Sequence, residues 1–179
     1  MTRIFTSLAV FALLTLVVTL GLGLYVTSVN AARTPDLLPW HRTHFLAGVF
    51  SSLVVVLVNC ISMTYFIGTS RWCKEVAETY ELDQQFVRRS TMLKRRTFPW
   101  ALLGVLTMVG VSSLGAAADI RAPGADQWVT IHLVGALAGF TFIALSFYVQ
   151  IQRIAAHHAV IGEIMQEVSR IRAEHGLPV

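Results

Sequence analysis

The chain has 179 residues, 55% of them hydrophobic and 13% charged, roughly half the charged share of an ordinary soluble domain at about 25%. Its net charge of +4 sits in basic residues flanking apolar runs, where membrane topology accounts for them without nucleic acid. The two cysteines form no CxxC or CxxCH pattern, which leaves iron–sulfur ligation and covalent c-type haem without support.

Four charge-free apolar runs occur in chain order, at 4–27, 43–67, 98–118 and 128–150. Each has roughly the 20 residues needed to cross about 30 Å of hydrocarbon as a helix. None alternates in polarity, and a lipid-embedded backbone must satisfy its hydrogen bonds internally. The predicted fold class is therefore an all-α integral membrane protein, a four-transmembrane-helix bundle forming one membrane domain over 1–179. The first run follows Arg3 and ends near Val29-Asn30-Ala31, a cleavage-like tripeptide. Its apolar stretch exceeds the 7–15 residues usual in a signal peptide, so it is expected to remain as a helix.

Eleven basic residues fall on one side of these runs, among them Arg3, Arg71, Lys74, Arg89, the Lys94-Arg95-Arg96 run, Arg153 and Arg172. Only Arg33, Arg42 and Arg121 fall on the other. The positive-inside rule predicts both termini in the cytoplasm, N-in and C-in, of a bacterial-type inner membrane. Trp40, Trp100 and Trp128 mark span ends as interfacial anchors, and Pro99 is read as opening the third span. Cys73 is assigned to a basic loop, and Cys60 to the interior as a small buried hydrophobe.

The second and fourth helices are expected to extend into the cytoplasm through 68–97 and 151–175. Ile151, Ile154, His158, Ile161, Met165 and Val168 recur at spacings of three and four, the pattern of a packing seam. The second span should run to about Tyr80 and pack against this seam, with 79–83 starting or breaking a helix. In the run from Tyr65 to Trp72, the aromatic residues read as a belt, Gly68 as flexible and Arg71 as free for headgroups. A quinone or partner site there is a further possibility.

No Asp, Glu, Lys or Arg lies inside a span, which argues against ion- or proton-coupled transport. No HExxH, P-loop, GxGxxG or GxSxG element is present, so no catalytic motif can be named. The small and polar residues nonetheless gather on stripes. His44, Gly48, Ser51, Val55, Asn59, Ser62 and Phe66 share one face of the second span. Trp128, His132, Gly135, Gly139, Phe142, Ser146 and Gln150 share one face of the fourth. Gly104, Met108, Val111, Ser112 and Gly115 do so on the third. Asn59 is expected to hydrogen-bond across helices.

His44 and His132 lie in the outer third of two helices that run in parallel. Facing one another, they could bind haem b through two axial imidazoles, since bundle cores hold cofactors between facing helices. Gly135 and Gly139 would either admit a neighbouring helix or leave room for a flat cofactor. A rival set adds His41 to His44 and His132, with Asp36, Asp119 or Asp126, as an outward-facing site for zinc or copper. Three readings result: a haem b electron-transfer subunit, a cofactor-free structural or assembly subunit, and an outward metal-binding protein. The expected partners are the lipid bilayer and either larger membrane-protein subunits or further copies of this chain.

Overall fold

The computed structural model describes residues 1–29, 35–119 and 123–178. Arg33, Arg121 and the Asn30-Ala31 part of the cleavage-like tripeptide lie outside the described residues. Four helices make up the described chain: α1 (Thr2–Ser28), α2 (Leu38–Thr79), α3 (Gln84–Ala117) and α4 (Asp126–Glu174). A single turn of 3-10 helix, Pro35–Leu37, leads into α2. No strand occurs among the described residues. Each helix is long and apolar enough to cross a membrane.

The helices alternate in direction, and each packs on its neighbours in the cyclic order α1, α2, α3, α4, so that α2 and α4 stand diagonally. Both chain ends and the α2–α3 turn therefore share one end of the bundle, the terminal pole. At 1.5 Å per residue, the 42 residues of α2 and 49 of α4 span roughly 60 and 70 Å, about twice the hydrocarbon thickness. Their apolar parts end far short of that. The excess projects beyond the terminal pole as a helical extension, as expected.

The third helix extends too, where hydropathy leads one to expect extensions of the second and fourth alone. Leu82 N–H donates to the Ala77 carbonyl at 2.9 Å, closing α2, and Glu81 takes a left-handed φ of 53°. Asp83 then caps α3, its Oδ1 accepting from the Gln85 N–H at 2.8 Å. Pro99 is thus interior to α3 and does not open a helix. Its missing N–H denies the Arg95 carbonyl its usual donor, at the boundary where water and headgroups stand in.

The extension corrects the proposed seam as well. Ile154, His157, Val160, Ile164 and Val168 are the buried positions of α4 here, whereas His158 and Met165 are exposed. A seam alternating three and four places His158 inside; the actual run begins with two spacings of three, which rotates the buried face by one residue. Within α2, Tyr65 and Phe66 turn into the bundle and do not form a belt. Gly68 is helical and Arg71 pairs with Glu75. Cys73 is a buried helical residue and Cys60 is exposed on the outer face, the reverse of expectation. The extensions of α2 and α4 do meet: Arg172 donates to Tyr80 Oη at 3.3 Å.

Outward faces carry Phe11, Leu14, Val18, Leu46, Leu53, Leu106, Val109, Val134 and Leu145, all exposed. Such a surface suits lipid and would be an aggregation hazard in water. Inward, the stripes of α2 and α4 hold: Ser51, Val55, Asn59, Ser62 and Phe66 of α2 are all buried, as are Gly139, Ser146 and Gln150 of α4, whereas on α3 Gly104 and Met108 are buried but Ser112 is exposed. Gln150 Nε2 donates to Asn59 Oδ1 at 3.0 Å, and Asn59 Nδ2 donates to the Val55 carbonyl at 2.9 Å. Ser146 Oγ donates to the Trp100 carbonyl at 3.0 Å, tying α4 to α3.

Gly104 makes the Asn59 bond possible, because a Cβ there would stand 2.8 Å from Asn59 Oδ1. Gly104→Ala should displace Asn59 and lower stability by about 1–3 kcal/mol. Gly110, whose Cβ would meet nothing, should gain about 0.8 kcal/mol on substitution by alanine, from helix propensity. Thermal unfolding of the two variants in detergent checks the opposite signs.

Candidate functional site

At the pole opposite the termini, His44 and His132 face each other across the bundle, their ring centroids 6.4 Å apart and their planes inclined at 60°. Each ring is seated in a notch cut by a glycine on the preceding helix. A Cβ at Gly23 of α1 would lie 2.8 Å from His44 Cε1, and one at Gly115 of α3 would lie 3.0 Å from His132 Cε1. Any larger residue at either position would push its imidazole out of place. His44 Nδ1 lies 3.1 Å from the Thr19 carbonyl. A carbonyl only accepts, so Nδ1 carries the proton and Nε2 keeps its lone pair. A hydrogen bond of this kind fixes both the tautomer and the orientation of a histidine ligand. His132 Nδ1 is buried and has no hydrogen-bond partner.

The spacing can be compared with that of two imidazoles on one metal. With each nitrogen about 2 Å from the iron and each ring centre roughly 1 Å further back, the centroids stand about 6 Å apart. The observed 6.4 Å matches. Two imidazoles at this spacing would serve as a pair of ligands to one metal ion.

Other candidates fall elsewhere. Gly135 and Gly139 are covered by α3 side chains: Cβ atoms there would come within 2.7 Å of Leu114 Cδ1 and Val111 Cγ2 respectively. They permit close α3–α4 packing. His41 lies one turn before His44 on α2, half-buried. Among the described residues no three His, Cys, Asp or Glu side chains converge as a metal site. His41 is therefore not gathered with the other two histidines and a carboxylate.

Sequence reasoning missed a second polar centre in the terminal-pole extension. His157 is fully buried between α2, α3 and α4. Tyr65 Oη stands 3.3 Å from its Nδ1, and Ser90 Oγ 2.8 Å from its Nε2. Ser90 in turn donates to Ser70 Oγ at 3.0 Å. With its proton spent on Ser70, Ser90 accepts from Nε2–H, and Nδ1 accepts from the tyrosine. Each nitrogen is satisfied while the ring stays neutral, so the network pins three helices together. Tyr65 and His157 lie on different helices with no shared periodicity, and only the one-residue shift of the seam could have pointed to them.

Comparison of the chain with protein-family models, with curated proteins and with solved structures returns no match. A functional reading therefore rests on the geometry of the histidine pair and its glycine seats.

Burial pushes the His157 imidazole down from 6.5 to about 4. The unfolded chain therefore binds this proton first, and the stabilisation is complete above pH 6.5 and is lost as pH falls toward 4. The loss should be on the order of 3 kcal/mol across that window. Thermal unfolding between pH 7 and pH 4 should show a shallower decline in His157→Asn than in the parent protein.

Proposed function

We propose that the protein is a small electron-transfer subunit of a bacterial-type inner membrane, holding haem b between His44 and His132. The observation that carries this reading is the imidazole pair at 6.4 Å, with the His44 Nδ1 proton engaged by Thr19. Haem supplies one-electron exchange when bound. The chain's own residues do the rest: Thr19 keeps Nε2 of His44 available, while Gly23 and Gly115 let both rings sit deep enough to address one centre. With haem bound, His44 and His132 would hold the iron between them and leave it no free position, which would favour electron transfer over ligand chemistry.

Orientation follows from charge. Arg3, Arg71, Lys74, Arg88, Arg89, Lys94, Arg95, Arg96, Arg153, Arg170 and Arg172 all belong to the terminal pole, whereas Arg42 is the basic residue described near the histidine pole. By this asymmetry both termini and the extensions lie in the cytoplasm, and the histidine pair lies toward the outer face. The electron donor and acceptor are then a quinone in the bilayer or a larger redox subunit docked beside the bundle.

A second reading, a cofactor-free structural or assembly subunit, is favoured by the covering of Gly135 and Gly139 with α3 side chains. Under it the histidines merely fill their glycine notches. Protein produced with ample haem and purified in detergent separates the two readings. A reduced-minus-oxidised spectrum should show a b-type α-band that His44→Ala and His132→Ala each abolish. A featureless spectrum from the parent protein sinks the redox reading, and Gly139→Leu should then be the change that breaks assembly.

A further inference from the structure

The two histidine seats are alike in more than their glycines. In α1 the buried residues Phe5, Ala9, Ala12 and Leu16 reappear in α3, at one constant offset in numbering, as the buried Thr97, Ala101, Gly104 and Met108. The same offset carries Gly23 onto Gly115, and Thr19 onto Val111. In α2 the buried Ser51, Val55, Val58, Asn59, Ser62 and Phe66 correspond to the buried Gly139, Ile143, Ser146, Phe147, Gln150 and Ile154 of α4, again at one offset. That offset superimposes Trp40-x3-His44 on Trp128-x3-His132. In the cyclic packing order a half-turn about the bundle axis exchanges α1 with α3 and α2 with α4. The pattern, the neighbours and the topology agree.

The correspondence extends to how each ring is seated. His44 has its Cε1 against Gly23 and its Nδ1 at the carbonyl four residues earlier, that of Thr19. His132 has its Cε1 against Gly115, and the residue at the position equivalent to Thr19 is Val111, again four residues earlier. Ser62 and Gln150 occupy equivalent positions, and each leaves one buried oxygen without a partner. The match stops just past Phe66 and Ile154. Beyond it α2 buries Ser70, Cys73 and Ala77, whereas α4 buries His157, Val160 and Ile164, which are out of register with them.

We infer that the chain is one helical hairpin used twice, and that the two copies present His44 and His132 as equivalent Nε2 donors to a single ligand on the axis relating them. The ligand class this selects is a metal in a planar macrocycle, which offers two like positions on opposite faces. The identity of that ligand rests on the haem reading; the equivalence of the two seats does not. A lone ion in an asymmetric pocket has no use for a half-turn that repeats both the imidazole and the glycine notch that seats it.

The equivalence is read directly from the tautomers. Nitrogen NMR of the isotope-labelled, haem-free protein at pH 8 reports which ring nitrogen carries the proton, with His44→Asn and His132→Asn assigning the signals. Both rings should be protonated at Nδ1. A proton on Nε2 of His132 overturns the inference, even where a b-type band is present. The tautomers are read in the unsubstituted chain, so a poorly folding variant does not obscure them. In haem-loaded protein, His44→Met and His132→Met should raise the midpoint potential to the same extent, since a methionine ligand does so at either face. Unequal shifts also overturn it. A featureless spectrum removes the ligand while matched tautomers leave the repeat standing.

Discussion

Hydrocarbon offers no hydrogen bonds, so a polar group that this bundle carries into the bilayer is costly unless it finds its partner inside the protein. The constraint orders the whole interior. Ser and Thr hydroxyls turn back on their own helices, as Thr19 does to Thr15 and Thr97 to Leu93. Where a side chain can reach further, it crosses the bundle, and helices become tied: Thr19 to Ser51 at 2.7 Å, Ser52 to Ser112 at 2.9 Å, Gln150 to Asn59 at 3.0 Å. Such bonds are individually modest in membranes, about 0.6 kcal/mol on average. Their effect is on register, because only one axial alignment of the helices brings all of them together.

Glycine is the other half of the device. In lipid there is little hydrophobic drive between helices, and association relies on close packing and on polar contacts. Gly104 opens room for Asn59, Gly23 for His44 and Gly115 for His132. Three of the interior's larger polar groups are thus each accommodated by the absence of a side chain on a neighbouring helix. Gly135 and Gly139 serve the simpler end of bringing α4 against Leu114 and Val111. The interior pairs bulk with a notch, and the imidazoles meet because both notches lie at the same depth.

Much of this is legible in the sequence. Span number, the inward stripes and the Asn59 bond follow from hydropathy and helical period, since lipid penalises the alternatives so heavily. The histidine pair is legible as depth, but not as distance: nothing in the spacing of His44 and His132 announces 6.4 Å. A cofactor reading of Gly135 and Gly139 cannot anticipate which neighbour covers them, because a GxxxG names a close approach without naming what approaches. Departures from expectation concentrate outside the span. There the seam lies one residue away from its simplest reading, exposing His158 where His157 is buried, because a short amphipathic run is compatible with more than one periodicity. Pro99 misleads for a related reason, its helix having begun with the polar turn at Gln84, where hydropathy is silent.

The contrast between the two ends of the bundle has a physical origin. Within lipid the surroundings are the same on every side, so two hairpins related by a half-turn face equal demands and keep matching buried positions. Beyond the terminal pole that equality ends. Among the described residues the extension is built by α2, α3 and α4, and three helices cannot share the half-turn of four. Its core must therefore be asymmetric, and the Tyr65–His157–Ser90–Ser70 network occupies the junction where the packing changes. A fully satisfied polar network suits that position, since its hydrogen bonds specify one arrangement where apolar contacts would tolerate several. Paired seats at one pole and a single asymmetric pin at the other follow from the number of helices each environment allows to meet.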